Sequence, residues 1–412
     1  MKFAMHNTKE FGHLKMCLVS KEIVYMNPQA YWGAIHSAIN ATYAQSNEVS
    51  LLVEKWAKVE VGAPATSVDT ANNTVTLSNG KQLTYKALAL SPGLDQSMDN
   101  IKGLKELSET PESEGVFCHI LDGKDRIDRN WWTGYHQAHG DILCYSPARP
   151  YKGEGCDFYA LFIEQQVRDM QNLGRAANNT RVHYWTPNKD IFEFGYANEV
   201  VLDECHKRGI DVHFGWEMIE VKKNEHGEKI AVMRNVDNHE IIETPFNGLS
   251  MTPASKPHSW LAESGLTDAS GLLNVNKYTL QHNVHENIFA MGDACNWQTT
   301  RTQTACYHQN PILKNNLLRF VSGQEPNAVY DGYTHMPLIL GHTYSTYFEH
   351  LHDFEPTAKN HAIPHHGIFA RGHFTMHMRK YGKIAKYYGD TTRDHGPPHK
   401  NWTASYDELE HS

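Results

Sequence analysis

The sequence predicts an α/β protein with a parallel sheet, and two observations indicate this class. Strand and helix patterns alternate in the middle of the chain, which is typical of parallel strands connected by helices. The strands are predicted at 141–145, 181–185 and 211–214, and the helices at 157–173 and 198–208. Further along, the apolar run Ile288-Phe289-Ala290 leads into Gly292-Asp293, which places a buried strand before a polar turn and the start of a helix.

Short strands and hairpins are predicted around this central region. Asn79-Gly80 separates two alternating segments within 59–85, which is a strong hairpin signal. Further strands are predicted at 14–19 and 87–90, and a second hairpin at 229–244. The segment 248–253 is predicted to be a strand that returns to the first domain.

The size and charge of the chain exclude several classes of protein. A chain of 412 residues is expected to hold two or more domains. The net charge of -9, without a basic block, argues against a nucleic-acid partner. No apolar run approaches the ~20 residues of a transmembrane helix, so no membrane span is expected. The first residues contain no apolar signal region.

The cysteine and histidine residues predict no metal site. The seven Cys include no C-x-x-C pair and have no spacing typical of metal ligands. His361, His365 and His366 have a spacing that fits no standard site, so surface histidines are expected there. Cys118 is expected to be structural, and Cys306 is expected to lie in the core.

The Gly292-Asp293 pair lacks the motif that accompanies it in dinucleotide-binding folds. Those folds begin with a strand, a G-x-G-x-x-G turn and a helix whose N-terminus binds the pyrophosphate. No G-x-G-x-x-G occurs in this sequence. Such a unit takes about 30 residues, and too few precede the strand predicted at 14–19. We therefore expect the first strand-turn-helix unit to be missing or supplied elsewhere.

Several segments, in their order along the chain, carry a resemblance to a known family. They are Tyr25 to Ala34, Leu90-Ser91-Pro92-Gly93, Asn287 to Asn296, Thr299 to Thr302 followed by Gln309 to Leu313, and Tyr330 to Thr334. Together they resemble the sulfide:quinone oxidoreductase family of the flavoprotein disulfide reductase superfamily, and most closely its mitochondrial type. The resemblance runs from about Lys15 to Gly341.

The resemblance implies a flavoprotein fold with two dinucleotide-binding domains of the Rossmann type in tandem and a C-terminal extension. The expected parts are a truncated first part of the FAD-binding-like domain at 1–115, a second Rossmann-like domain at 116–248, the second part of the FAD-binding-like domain at 249–325 and a C-terminal region at 326–412. The resemblance also implies a mitochondrial location associated with the inner membrane. For an active member it implies FAD as cofactor, with sulfide and quinone as substrates.

If FAD is bound, the resemblance implies four residues that contact it. Gly93 ends the strand-then-glycine crossing, and Gly292 lets the backbone approach the flavin. Asp293 would accept a hydrogen bond from the ribityl chain, and Arg301 would balance the charge of the flavin. A second interpretation stays open for these positions. The Gly-Asp turn can be kept for packing after a cofactor is lost, and Arg301 can be a solvated residue at a helix start.

The resemblance further implies two redox cysteines, and the chain offers one candidate. Met336 occupies the second position, and its thioether cannot ionise or form a disulfide. Gly153 aligns with the first position, and Cys156 lies three residues further along the turn. Cys156 is either a catalytic thiol that handles sulfur or a plain small residue. Ser20 stands where an acidic residue would bind the adenosine ribose.

Two functions are compatible with these observations, and a fragment of a longer active protein is a third possibility. The sequence favours a catalytically degenerate relative, a pseudoenzyme that acts as a structural or accessory subunit of a mitochondrial respiratory complex and has other subunits as partners. The alternative is an active FAD-dependent sulfide:quinone oxidoreductase. Beyond Gly341 we expect a surface that binds a partner protein and not a membrane, because the apolar stripe there is narrow. This stripe comprises Phe374, Met378, Tyr381 and Ile384.

Overall fold

The computed structural model describes residues 15–20, 58–109, 114–118, 140–151, 154, 161–162, 181–193, 195–297, 299–341, 344–355 and 365–366. Several predicted features lie outside these residues, namely Tyr25 to Ala34, Gly153, Cys156, most of the helix predicted at 157–173, His361 and the stripe from Phe374 to Ile384. The described secondary structure is mixed α/β with a parallel sheet, which confirms the predicted fold class.

The strands and helices of the described residues are as follows. The early strands are β1 (Cys17–Ser20), β2 (Lys58–Val61), β3 (Ala65–Asp69), β4 (Thr74–Leu77), β5 (Gln82–Thr84), β6 (Leu88–Leu90), β7 (Asp95–Ser97) and β8 (Val116–Cys118). The central strands are β9 (Asp141–Tyr145), β10 (Arg181–Thr186), β11 (Ile210–Phe214), β12 (Trp216–Lys223), β13 (Lys229–Asn235), β14 (Ile241–Phe246), β15 (Gly248–Met251) and β16 (Ala254–Lys256). The last strands are β17 (Ile288–Ala290), β18 (Thr334–Gly341), β19 (Tyr344–His350) and β20 (His365–His366). The α-helices are α1 (Leu104–Ser108), α2 (Gly195–Lys207), α3 (Ser259–Glu263) and α4 (Gln303–Val321).

A five-stranded parallel sheet organises the middle of the chain. Its strand order is β11-β10-β9-β15-β8, and each pairing in it is parallel. Strands in such sheets are covered on both faces and therefore consist of nearly continuous apolar runs. β9 fits this rule, because its last four residues are all buried. α2 packs against β11. The alternation predicted from 181 to 214 is thus confirmed.

The strand predicted at 248–253 has a different place from the one we expected. We expected it to return to the first domain, but β15 lies between β9 and β8 in the five-stranded sheet. All four of its residues are buried, as the interior of a parallel sheet requires. The next strand, β16, pairs with β7 in antiparallel fashion and so makes the return.

The remaining strands form small sheets. β1 pairs with β2 and β6 pairs with β17, both in parallel. β3, β4 and β5 form an antiparallel sheet in which Gly80 has a φ of 80°, as the Asn79-Gly80 signal predicts. A second antiparallel sheet of β12, β13 and β14 contains the other predicted hairpin. The β6–β17 pair brings the segment after Leu90 beside Gly292, because Met291 N donates to Leu90 O at 3.0 Å.

The hairpin of β18 and β19 completes the core of the five-stranded sheet. Met336, Leu338 and Phe348 are buried in the same cluster as residues of β9, β10 and α2. The ring centroids of Phe348 and Phe192 are 6.1 Å apart. α4 also contacts β18. The chain after Gly341 is therefore part of the core as far as β19, so the expected docking surface can begin only beyond this strand.

The described part of the chain contains neither a candidate membrane-spanning helix nor a metal-binding group. α4, at 19 residues, is its longest helix, and none of its helices combines the length and the apolar character of a membrane-spanning segment. The described residues also contain no group of three or more His, Cys, Asp or Glu side chains that could hold a metal ion.

Replacement of Phe348 by alanine should reduce the free energy of unfolding by about 3–5 kcal/mol, because the lost ring leaves a cavity in the shared core. Urea unfolding followed by far-UV circular dichroism measures this loss. Ile241→Ala is the control, since Ile241 is 59% exposed and should change stability by only about 0.5 kcal/mol. Equal effects of the two substitutions would contradict the place of the hairpin in the core.

Candidate functional site

The Gly292-Asp293 turn is packed tightly against its surroundings. The fully buried β17 leads into it, and Gly292 has a φ of 86°, a left-handed conformation that favours glycine. A Cβ atom at this position would lie 3.2 Å from Ser91 Oγ and 3.6 Å from Cys306 Sγ. The Gly292 N–H donates to Gln309 Oε1 at 2.9 Å. Local packing alone therefore accounts for a glycine here.

A capped helix follows the turn. Thr302 is the N-cap of α4, and its hydroxyl accepts a hydrogen bond from Ala305 N at 3.1 Å. Such a cap satisfies one of the free N–H groups at a helix start. The N–H groups that remain, together with the helix dipole, favour negative charge near this end of α4.

Arg301 holds the turn together through its guanidinium group. Nε donates to Asp293 O at 2.9 Å, and Nη2 donates to Cys295 O at 3.3 Å. Nη1 lies 3.9 Å from Glu154 Oε1, and the side chains of Arg301 and Glu154 are only 9% and 8% exposed. Arg301 is therefore not a solvated residue at a helix start, which was one of the two interpretations open to it.

Glu154 brings a carboxyl group to the site from the chain that follows β9. Burial raises the pKa of Glu154 to about 7, although the positive charge of Arg301 acts in the opposite direction. Glu193 adds to the rise, and Arg149 opposes it. The carboxyl group consequently exchanges its proton close to neutral pH, which is unusual for a glutamate.

Arg301 also lines a small cavity at the start of α4, where the space of about 150 Å³ includes open solvent. The lining includes Asp293, Trp297, Thr299, Cys306 and Gln309. The expectation that Cys306 lies in the core is wrong, since this residue is half-buried and faces the cavity region. Cys118 is buried in β8, as expected of a structural residue.

Two polar groups of the described residues that would lie near a flavin are engaged by the protein itself in this structure. The guanidinium of Arg301, which the resemblance assigns to the flavin, is engaged by protein carbonyls and a carboxyl group. The Gly292 N–H is likewise engaged by Gln309.

The structure brings together three of the five candidate site residues. Gly292, Asp293 and Arg301 line the same cavity. Gly93 has a φ of 72° and an open space where a Cβ would be, but it does not belong to the cavity lining. Cys156 lies outside the described residues. Ser20 ends β1, where its carbonyl accepts a hydrogen bond from Gly62 N at 3.0 Å.

Two residues of the site received no role from the sequence. Gln309 was part of a segment that carried the resemblance, and this membership was a usable signal; it lies six residues after the first residue of α4. Glu154 stands two residues before Cys156, but nothing in a single sequence indicates that a glutamate in a turn will be buried against an arginine.

No protein-family model matches the chain. Curated relatives do match, and those compared are mitochondrial sulfide:quinone oxidoreductases. The protein of Schizosaccharomyces pombe is 26% identical over 70% of this chain and 62% of its own length. The protein of Dictyostelium discoideum is 25% identical over 91% of this chain and 79% of its own length. The mouse protein is 24% identical over 66% of this chain and 58% of its own length.

The chain is a relative of the mitochondrial sulfide:quinone oxidoreductases. This confirms the resemblance that the sequence motifs carry, and the mitochondrial location of the relatives agrees with the expected one. The matched region spans less than two thirds of the length of the fission yeast and mouse proteins.

Solved structures show the same fold. A chain of the mitochondrial ATP synthase of Tetrahymena thermophila is 24% identical, has a TM-score of 0.82 and covers 96% of this chain and 94% of that chain. The sulfide:quinone oxidoreductase of Aquifex aeolicus is 15% identical, has a TM-score of 0.73 and covers 94% of this chain and 89% of that chain. The tandem Rossmann-like architecture is thus confirmed.

The position to which the resemblance assigns the second redox cysteine is a core position in this chain. Met336, which occupies it, is 4% exposed and packs in the same cluster as Leu338 and Phe348. A flexible thioether fills irregular core space well. The residue therefore contributes packing at a position where the family resemblance implies a thiol.

His350 connects the hairpin to the site. Its Nε2 lies 2.8 Å from Thr300 Oγ1, and its Nδ1 lies 2.8 Å from Leu351 O. Because a carbonyl oxygen only accepts, Nδ1 carries the proton and Nε2 accepts from the hydroxyl group of Thr300. Burial lowers the pKa of His350 from 6.5 to about 4, so the ring is neutral at physiological pH.

His350→Gln should make the stability of the fold less sensitive to acid. A lowered pKa means that the folded state prefers the neutral ring, so the contribution of His350 is complete above pH 6.5 and is lost as the pH falls toward 4. The shift corresponds to about 3 kcal/mol. Urea unfolding at neutral pH and near pH 4.5 measures the difference in wild type and variant, with the exposed His206→Gln as control. An unchanged pH dependence in His350→Gln would contradict this assignment.

Proposed function

We propose that the chain is a non-catalytic structural or accessory subunit of a mitochondrial complex associated with the inner membrane. The observation that carries this proposal is the engagement of Arg301, the residue that would balance the charge of a flavin. Its three guanidinium nitrogens face Asp293 O, Cys295 O and the Glu154 carboxyl group. Because the protein already provides partners for the polar groups of this site, a bound cofactor would add few hydrogen bonds or ion pairs.

The role of subunit is supported by the fold of a chain in the Tetrahymena thermophila mitochondrial ATP synthase. The match covers nearly all of both chains, 96% and 94%, so the two chains have similar domain content. That chain is part of a multi-subunit mitochondrial assembly, and we propose that this chain is also part of such an assembly. Other protein subunits would then be the partners. The domains would divide at 115/116, at the end of β15 in place of the expected 248/249, and at 325/326.

The absence of catalysis is supported by the residues of the redox positions. Covalent sulfur chemistry needs an ionisable thiol, and Met336 offers a buried thioether. With Cys156 as the single candidate thiol, a relay of two cysteines has no second member. In this proposal the chain retains neither FAD nor a metal ion, and its residues serve to keep the two Rossmann-like parts folded and attached to each other.

The alternative function is that of an active FAD-dependent sulfide:quinone oxidoreductase. It is favoured by the identity of 24–26% to curated enzymes of that name and by the retained Gly292-Asp293 turn. An active form would require the Glu154–Arg301 pair to open and Arg301 to turn toward the flavin. It would then use Cys156 and would accept sulfide and quinone.

The purified chain should elute from gel filtration without stoichiometric flavin and should not reduce a soluble quinone with sulfide. The reasons are the engaged Arg301 and Gly292 N–H groups for the first result, and Met336 for the second. Flavin absorbance and quinone reduction are measured beside the Aquifex aeolicus enzyme as positive control. Bound flavin with an activity that Cys156→Ser abolishes would reverse the proposal in favour of the enzyme.

A tagged chain should co-purify from mitochondria with a large complex in mild detergent, and the purified chain alone should not float with lipid vesicles. Truncation after His366 removes the stripe from Phe374 to Ile384 and should therefore release the chain from the complex. The truncated chain keeps the core residue Phe348, so its fold should be retained. Truncation after Gly341 is unsuitable, because it also removes β19. Recovery of the full chain as a free monomer, or flotation that the truncation abolishes, would contradict a subunit bound through its C-terminal region.

A further inference from the structure

The sequence contains two Asn-Gly pairs, Asn79-Gly80 and Asn247-Gly248, and the fold places them in different surroundings. In such a pair the backbone nitrogen of the glycine can attack the side-chain amide of the asparagine, because a residue without a Cβ hinders the approach least. Asn79 and Gly80 are both exposed, whereas Gly248 is buried at the start of β15. Two pairs that would react similarly in an unfolded chain are therefore distinguished by the structure.

The exposed pair forms the tip of the hairpin of β4 and β5. Lys81 N donates to Asn79 Oδ1 at 3.0 Å, which folds the side chain back over the Gly80 peptide and brings Cγ toward Gly80 N. A donor on this oxygen also stabilises the negative charge that develops when Cγ is attacked. The Gly80 N–H donates to Leu77 O at 2.9 Å, and this bond must open before the attack. Nothing lies within 4 Å of a Cβ position at Gly80, so the exposed turn has room to open.

The second pair is held on several sides. Asn247 N donates to Asp141 O at 2.8 Å, and Asn247 Oδ1 accepts from Asp141 N at 3.0 Å. The carbonyl group of the peptide between Asn247 and Gly248 accepts from Lys229 Nζ at 2.8 Å. Gly248 itself pairs with Ile142 inside the five-stranded sheet. Attack by Gly248 N would therefore require local unfolding of a buried part of the sheet, which is far more costly than opening an exposed turn.

We propose that Asn79 is a modification site, at which the folded protein undergoes spontaneous deamidation and isomerisation, and that Asn247 is protected. Gly80 N forms a bond to Asn79 Cγ and loses its proton to a base from the solvent. The bond between Cγ and Nδ2 breaks, and ammonia leaves. Water then opens the resulting succinimide ring at one of its two carbonyl groups, which yields aspartate or isoaspartate without oxidation or reduction. This modification does not depend on the proposed role of the chain as a subunit.

The products would alter a turn that connects two of the small sheets. Lys81, which follows the turn, forms an ion pair with Glu60 of β2. Both products add a negative charge beside this pair, and isoaspartate also inserts the Cβ atom of residue 79 into the main chain. The hydrogen bond from Leu77 N to Lys81 O, which closes the turn at 2.9 Å, would then have to shift. The modification therefore distinguishes aged molecules from new ones at the end of this hairpin.

Incubation of the folded chain near pH 8 at physiological temperature tests the proposal. Peptides that contain Asn79 and Asn247 are quantified by mass spectrometry, and isoaspartate is separated from aspartate by liquid chromatography. We expect Asn79 to react at least about tenfold faster than Asn247, because only the exposed turn opens readily. In concentrated urea, where both pairs are exposed, the two rates should become similar.

Asn79→Gln is the matched variant, because it keeps the amide group but would have to close a larger ring, so its turn should remain unmodified. The decisive measurements use the wild type, so they do not depend on the folding of a variant. An Asn79 that reacts in urea but stays intact in the folded chain would overturn the proposal. Equal rates at Asn79 and Asn247 in the folded chain would overturn it as well.

Discussion

The candidate site depends on the hydrogen bonds and the ion pair that the guanidinium group of Arg301 forms. It holds two carbonyl groups of the turn after β17 and faces a carboxyl group from the chain after β9. A buried charge is tolerated only where it is paired and hydrogen-bonded, and removal of either partner leaves the other uncompensated. The shape of the turn, the closure of the cavity and the contact between the two Rossmann-like parts are therefore parts of one arrangement.

Two other positions to which the family resemblance assigns a function are likewise engaged by neighbouring groups of the protein. Gly292 has its N–H bound to Gln309 and its face covered by Ser91 and Cys306. Met336 fills the core shared by the hairpin and the five-stranded sheet. Packing and hydrogen bonding within the protein explain the residue type at each of these positions. The chain shares the architecture of the sulfide:quinone oxidoreductases, and at these positions its described side chains take part in packing and hydrogen bonding.

Much of the fold could be predicted from the sequence, because periodicity and turn chemistry are local. β9 was predicted with its observed bounds, and the strand of Ile288 to Ala290, the helix near Asn198 and the Asn79-Gly80 hairpin were found where expected. The place of β15 was not predictable, since an apolar run does not indicate its neighbours in a sheet. Arg301 was recognised at the site, but its partner Glu154 was not, because burial of a carboxyl group depends on contacts between distant segments.

The hairpin of β18 and β19 has a consequence for the order in which the chain can fold. The five-stranded sheet is complete in sequence at Met251, yet its core also needs Leu338 and Phe348. During synthesis the chain emerges from its N-terminus at roughly 5–20 residues per second. Several seconds therefore separate the synthesis of β15 from that of the hairpin, and during this interval one side of the core lacks its cover. In this interval a chaperone or a partner subunit would bind the side of the sheet core that β18 and β19 cover. The folded molecule no longer exposes this surface.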